Sequence, residues 1–187
     1  RDILLLRPLL AKRFVDCFHA RFDPDLIGDR GTVWAEAKTA YEDALSEVTT
    51  LDEDRVFRAL FNLLEASLRT NYHRTDRVQP YISVKIDHDL MRDLPAPKLK
   101  YEIYVYHRDV EGVHLRGGKI ARGGIRWSDR SDYRTEVLGL VTTQMVKNVL
   151  IVPVGTKGGF YLKAASTDPF MRRREADDLY QVYIRGL

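Results

Sequence analysis

The hydropathy period of this chain changes once, near residue 75, and that change restricts the folds open to it. Upstream, apolar residues recur at helical spacing in three stretches. Leu9, Leu10, Phe14, Val15 and Phe18 follow Pro8, which suits an early helix position. Trp34, Ala37, Ala40, Tyr41 and Leu45 mark a second helix over about 32–48, with Gly28 and Gly31 just before it. Val56, Ala59, Leu60, Leu63, Leu64 and Leu68 form a third stripe, opened by the acidic turn Asp52-Glu53-Asp54. Downstream the period falls to two. Ile82, Val84 and Ile86 alternate with Ser83, Lys85 and Asp87, and Tyr101 to Tyr106 repeats the strand pattern. Val113 to Ile120 is a third candidate strand. Further on come a buried helix after Arg134, a short apolar strand Leu150 to Val154, and the glycine-rich stretch Gly155 to Gly159. A last helix opens with Asp168 as cap and Pro169 in its first turn. The fold class expected is mixed α/β: a helical subdomain over residues 1–75, then a mixed-sheet α/β segment over 76–187.

Composition removes several classes of function. Hydrophobic residues at 44% and charged residues at 30% are a globular balance, not a disordered one. The lone cysteine, Cys17, excludes a disulfide framework and a cysteine-rich zinc site, and accords with a reducing, cytoplasmic compartment. No secretory signal opens the chain, because Arg7 and Pro8 interrupt the apolar run Ile3 to Leu6. The first residue is not Met and the last apolar stripe runs to Leu187, as expected of a segment cut from something longer. Net charge is only +3, too little to imply nucleic acid, but its distribution is uneven. From Glu111 to Lys163 nine Lys and Arg face four Asp and Glu, and the same window holds nine of the twelve glycines. Positive charge and backbone freedom coincide there, so an anion site is sought in that window.

Within it, Lys147 is the one charged residue between Glu136 and Lys157. A membrane span is excluded, since a central Lys costs about 2.5–3.5 kcal/mol and Gln144, Asn148 and Pro153 add to it. On a helix Gln144 and Lys147 sit side by side, one turn apart. A buried ammonium needs an anion or carbonyl to meet it, whereas a Lys at the edge of a core helix merely snorkels. Lys157 lies among Gly155, Gly158 and Gly159, which let a backbone approach closely. An enclosed Lys of this kind suits Schiff-base chemistry or carbonyl polarisation, and the plain alternative is a surface turn. Gly123-Gly124, between Arg122 and Ile125, marks either a ligand approach or a β-bulge. A Walker phosphate loop fails because Gly124 stands where Lys is required, and no Gly-x-Gly-x-x-Gly occurs. His19, His73, His88, His107 and His114 lack metal-ligand spacing, so no metal is expected.

Taken together, four stretches resemble the NAD-dependent glutamate dehydrogenases of the very large bacterial class. They are Arg116-Gly-Gly-Lys-Ile-Ala-Arg-Gly-Gly-Ile-Arg-Trp-Ser-Asp-Arg130, Glu136-Val-Leu-Gly-Leu140, Gln144-Met-Val-Lys-Asn148 and Pro153-Val-Gly-Thr-Lys-Gly-Gly-Phe160. The likeness is dense over Val110 to Lys163, with echoes at Arg69-Thr-Asn-Tyr72 and Tyr183-Ile-Arg-Gly-Leu187. It implies that Lys157 is the catalytic lysine, which polarises the 2-oxo group and assists attack by ammonia or water. It implies that Gln144 and Lys147 bind the substrate α-carboxylate and that Gly123 and Gly124 line the substrate cleft. Arg122 stands where smaller glutamate dehydrogenases carry a lysine for the distal carboxylate; arginine keeps the charge but changes the reach.

The resemblance further implies L-glutamate and 2-oxoglutarate as partners, and a homo-oligomer for the full-length enzyme, with no nucleic acid or membrane. NAD would bind a domain outside this segment, as would the family's catalytic aspartate, so the segment alone is expected to be inactive. Two other readings stay open: another amino-acid dehydrogenase of the same superfamily, and a non-catalytic anion-binding or regulatory module. In the enzyme readings Lys147, Lys157 and Arg122 converge on one concave site.

Overall fold

Local signals start several of the elements. The Asp29 carboxylate accepts the Thr32 amide at 2.8 Å and the Thr32 hydroxyl at 2.9 Å, capping the helix Arg30–Ser46. Asp168 does the same for the last helix, accepting the Met171 amide at 2.8 Å. The computed structural model describes residues 2–75, 80–92, 94, 96–147 and 154–187, with Asp2 and Lys147 described by their backbone alone. These residues divide into two compact units, 1–65 and 66–187.

The first unit is helical: α1 (Asp2–Leu6), α2 (Pro8–Phe22), α3 (Arg30–Ser46) and α4 (Leu51–Ala66). Leu10, Cys17, Tyr41, Leu45, Phe57, Phe61 and Leu64 form its core. Tyr41 stacks on Phe61 with ring centroids 4.6 Å apart, and its hydroxyl donates to the Phe57 carbonyl at 2.8 Å. The buried stripe of α4 is therefore Phe57, Phe61 and Leu64 rather than the one read from its aliphatics. Val56 and Leu63 are 36% and 37% exposed, and Leu68 lies outside the helix. Aromatic area decided which face turned inward. Likewise Leu9 and Val15 face water while Cys17 is fully buried, and burial pushes its thiol up to about 11, leaving it unreactive.

The second unit is a sheet with helices on both faces. Its strands are β1 (Ser67–Thr70), β2 (Tyr81–Asp87), β3 (Tyr101–His107), β4 (Val110–Arg116), β5 (Ala121–Arg122), β6 (Ile125–Ser128) and β7 (Val154–Leu162). The order is β1-β2-β3-β4-β7-β5; neighbours from β1 through β7 are antiparallel, and β5 and β6 both run parallel to β7. Helix α5 (Tyr133–Lys147) buries Tyr133, Val137 and Val141 against Leu99, Val113 and Leu115 on one face. Helix α6 (Pro169–Gly186) buries Ala176 and Tyr183 against Ile103, Val105, Val110 and Phe160 on the other. Among the described residues no helix is long and apolar enough to cross a membrane.

The glycine-rich stretch expected as a loop is the middle of β7. Its glycines are there because both helices press on that strand. A Cβ on Gly159 would lie 2.3 Å from Val137, and one on Gly158 would lie 2.6 Å from the Tyr183 hydroxyl. The third candidate strand is displaced as well: it spans Val110–Arg116, starting three residues earlier than Val113 and stopping short of Ile120. Most of the expected strand Leu150 to Val154 lies outside the described residues; only Val154 is described, as the first residue of β7.

Candidate functional site

The site is built where β5, β6 and β7 run side by side. Arg122 pairs with Gly155 and Ile125 with Gly158, so Gly123 and Gly124 lie beside Thr156 and Lys157. The Gly124 carbonyl accepts the Gly158 amide at 3.1 Å, carrying the ladder across the interruption. The two glycines have different reasons to be there. A Cβ on Gly123 would fall 1.6 Å from the Thr156 carbonyl oxygen, whereas one on Gly124 would meet nothing within 4 Å. Gly123→Ala should therefore cost about 1–3 kcal/mol or more by displacing the strand. Gly124→Ala should stay within about 0.5 kcal/mol of the parent. Denaturant midpoints of the two variants measure this, and equal losses would mean that the fold itself excludes a side chain at both positions.

Lys157 is half-buried, and among the described residues its ammonium has no hydrogen-bond or ion-pair partner. Its face follows from its neighbours. A Cβ on Gly155 would meet the Gln144 side chain of α5 at 3.0 Å and one on Gly159 would meet Val137 of α5, so Lys157 between them also points to the α5 side. Gln144 donates from Nε2 to the Arg122 carbonyl at 3.0 Å, while its buried Oε1 has no partner among the described residues. Arg122 is exposed, and its backbone carbonyl is tied to Gln144. One glycine-lined stretch thus brings together Lys157, Gln144, Gly123, Gly124 and the Arg122 backbone. Lys147 follows Gln144 by one helical turn, and its side chain lies outside the described residues.

Behind Lys157, on the α6 side, Thr156 donates to the Leu115 carbonyl at 2.7 Å, its Oγ1 3.4 Å from His114 Nε2. Burial, with the nearby charge of Arg116, holds the His114 imidazole below its ordinary range. Arrangements that no sequence spacing signalled fix α5 against the sheet. Arg134 grips the buried Glu102 through Nε (2.9 Å) and Nη2 (2.6 Å), and His88 Nε2 lies 2.9 Å from the same carboxylate. Two residues on, Glu136 accepts Ser128 Oγ at 2.7 Å and pairs with Arg126 Nε at 2.7 Å. With the Gln144–Arg122 bond these ties set the axial position of the helix that carries Gln144 and Lys147. The Lys157 ammonium and the Gln144 amide nearby offer donors and positive charge to a carbonyl or a carboxylate.

Comparison with known proteins gives a consistent result. A family model described as bacterial NAD-glutamate dehydrogenase, catalytic domain, matches residues 40–187. A Pseudomonas aeruginosa protein named NAD-specific glutamate dehydrogenase is 51% identical over 152 residues, covering 77% of this chain and 9% of its own length. Proteins of the same name from Halomonas elongata and Mycobacterium tuberculosis are 44% and 43% identical, covering 96% and 100% of this chain and 12% of their own lengths. The chain thus spans about an eighth or less of the curated relatives it matches.

Proposed function

The chain belongs to the bacterial NAD-glutamate dehydrogenase catalytic-domain family, and we propose that it supplies the substrate-binding part of an enzyme that oxidatively deaminates L-glutamate to 2-oxoglutarate and ammonia. The observation that carries this reading is the half-buried Lys157 on the α5 face, its ammonium without a partner among the described residues, beside Gln144 and the open Gly124. In this reading Lys157 donates a hydrogen bond to the developing 2-oxo oxygen. Gln144 and Lys147 hold the α-carboxylate, and Arg122 reaches the distal carboxylate. Gly124 leaves the cleft clear of side chains, and Gly123 keeps the strand close. The working compartment assigned is the cytoplasm, in line with the lone Cys17.

The cofactor in the relatives' names is NAD. The residues of this chain do not fit it: the glycine fingerprint is missing from the sequence, and the described parallel pairing is confined to β5 and β6 against β7. No step through NAD is assigned to these residues, and its binding is attributed to a part of the protein beyond them.

The substrate assignment is tested at Arg122 in the full-length enzyme. If its guanidinium meets the distal carboxylate, Arg122→Ala should lower kcat/KM for glutamate by roughly tenfold to a hundredfold, the size of a lost charge-assisted hydrogen bond at about 1.5–3 kcal/mol. A neutral amino acid of similar length should lose far less. Equal losses for both would assign Arg122 to the α-carboxylate or to the fold and would favour a different amino-acid substrate.

A further inference from the structure

A cavity of about 340 Å³ opens on the opposite face of the sheet from Lys157. The faces follow from the pairing: Lys85, Ile103, His114 and Gly158 form one row across β2, β3, β4 and β7. A Cβ on Gly158 would meet Tyr183 of α6, so this row lies under α6, on the side away from Val137 and Gln144. Two outlying motifs of the sequence meet there. Arg69, Thr70 and Asn71 line the cavity from β1 and its turn, and Arg185, Gly186 and Leu187 line it from the end of α6. Lys85 and Ser83 of β2 complete the wall.

The lining is cationic, and Lys85 and Ser83 within it are not fully satisfied by the described residues. Arg69, Arg74, Lys85 and Arg185 all face the cavity, and none of its described lining residues is Asp or Glu. The nearby carboxylate of Asp87 is engaged by Lys100 at 3.1 Å. Lys85 sits 4.4 Å above the Tyr101 ring and forms no ion pair among the described residues. Burial, with the like charges of Arg69 and Arg116, depresses its ammonium below its ordinary range. Among the described residues Ser83 Oγ is buried and without a partner in the same wall, as is Arg116 Nε on the neighbouring row. Concentrated positive charge, a spare hydroxyl and a volume at the small end of ligand pockets call for an anion carrying more than one charge on a compact group. Ile103 and Tyr81 offer apolar wall to whatever that group is attached to.

We propose that this cavity is a second anion site, one that takes a phosphate-bearing small molecule and is separated by the sheet from the Lys157 site. The proposal does not depend on the reading of Lys157. A phosphate fits better than a single carboxylate because it brings up to two charges and several acceptor oxygens to one point, where Arg69, Lys85 and Arg185 surround it.

The test is calorimetric titration of the purified protein with inorganic pyrophosphate at fixed ionic strength, with 2-oxoglutarate as the dicarboxylate arm. Saturable pyrophosphate binding is expected, on the order of millimolar or tighter. Arg69→Gln and Lys85→Gln should each weaken it about tenfold or more, and Lys157→Ala should leave it unchanged. Arg69 and Arg185 are exposed, so Arg69→Gln and Arg185→Gln serve if Lys85→Gln unfolds, with melting temperature as the check on each variant. Absence of saturable binding, binding that survives these replacements, or loss of binding in Lys157→Ala overturns the proposal. So does a dependence on Arg69 and Lys85 for 2-oxoglutarate but not for pyrophosphate.

Discussion

Lys157→Ala in the full-length enzyme is expected to lower kcat by about 10²–10⁴-fold or more while changing the KM for glutamate far less. The reason is geometric. Lys157 projects from the middle of β7 between two glycines whose faces are filled by α5 side chains, so its side chain leaves the strand on the α5 face. Its interaction grows as negative charge builds on the oxygen that water brings to C2 when it adds to the imine and ammonia leaves, which makes it a transition-state contact rather than uniform binding. Lys157→Arg should fail almost as badly, because the planar guanidinium places its donors differently from the compact ammonium and gives up a proton far less readily. The site faces water on its Gly124 side, so neither variant should shift the melting temperature by more than a few degrees. A near-normal kcat in Lys157→Ala, with the fold intact, would remove Lys157 from the chemistry.

The signals that could be read in advance were local ones. Asp168 followed by Pro169 announces a helix start with no help from the rest of the chain, and α6 begins there. The alternation of Ile82 to Ile86 and the run Tyr101 to Tyr106 became β2 and β3 because a half-buried strand writes its period into adjacent residues. Gln144 and Lys147 were placed on one helix by the same kind of evidence, and both lie in α5. What escaped was set at long range. Ser67–Thr70 follows α4 without a break in hydropathy and becomes a strand only because β2 pairs with it. The glycines of β7 read as a loop, since glycine commonly marks a turn. Their cause is the bulk of Val137, Gln144 and Tyr183, which lie 11 to 25 residues away along the chain. The grip of Arg134 on Glu102 spans 32 residues and leaves no trace in spacing.

That grip carries the other large expected effect. Glu102 is 6% exposed, and both of its oxygens are used: Oε1 by Arg134 Nε, Oε2 by Arg134 Nη2 and by His88 Nε2. Glu102→Ala leaves a buried imidazole and a half-buried guanidinium without their carboxylate, and breaking such a pair from one side costs about 3–5 kcal/mol. The outer part of Arg134 reaches water, so the lower end of that range, about 3 kcal/mol, is expected. The pH dependence follows from the direction in which the carboxyl is shifted. Burial opposes its ionisation, but the hydrogen bonds from His88 and Arg134 prevail and hold it below the ordinary carboxylate range. A group depressed in the folded state contributes its full stability above its unfolded pKa of about 4.3, and loses it as pH falls through the lower folded value. The gap in unfolding free energy between the parent and Glu102→Gln should therefore be constant from pH 7 down to about 5 and narrow steadily below about pH 4. Comparing the two proteins removes the titration of the other carboxylates, which they share. Urea midpoints at pH 7 and near pH 3.5 give the measurement. A gap that stays the same at both pH values would mean that Glu102 stabilises α5 through its shape and neutral hydrogen bonds, not through its charge.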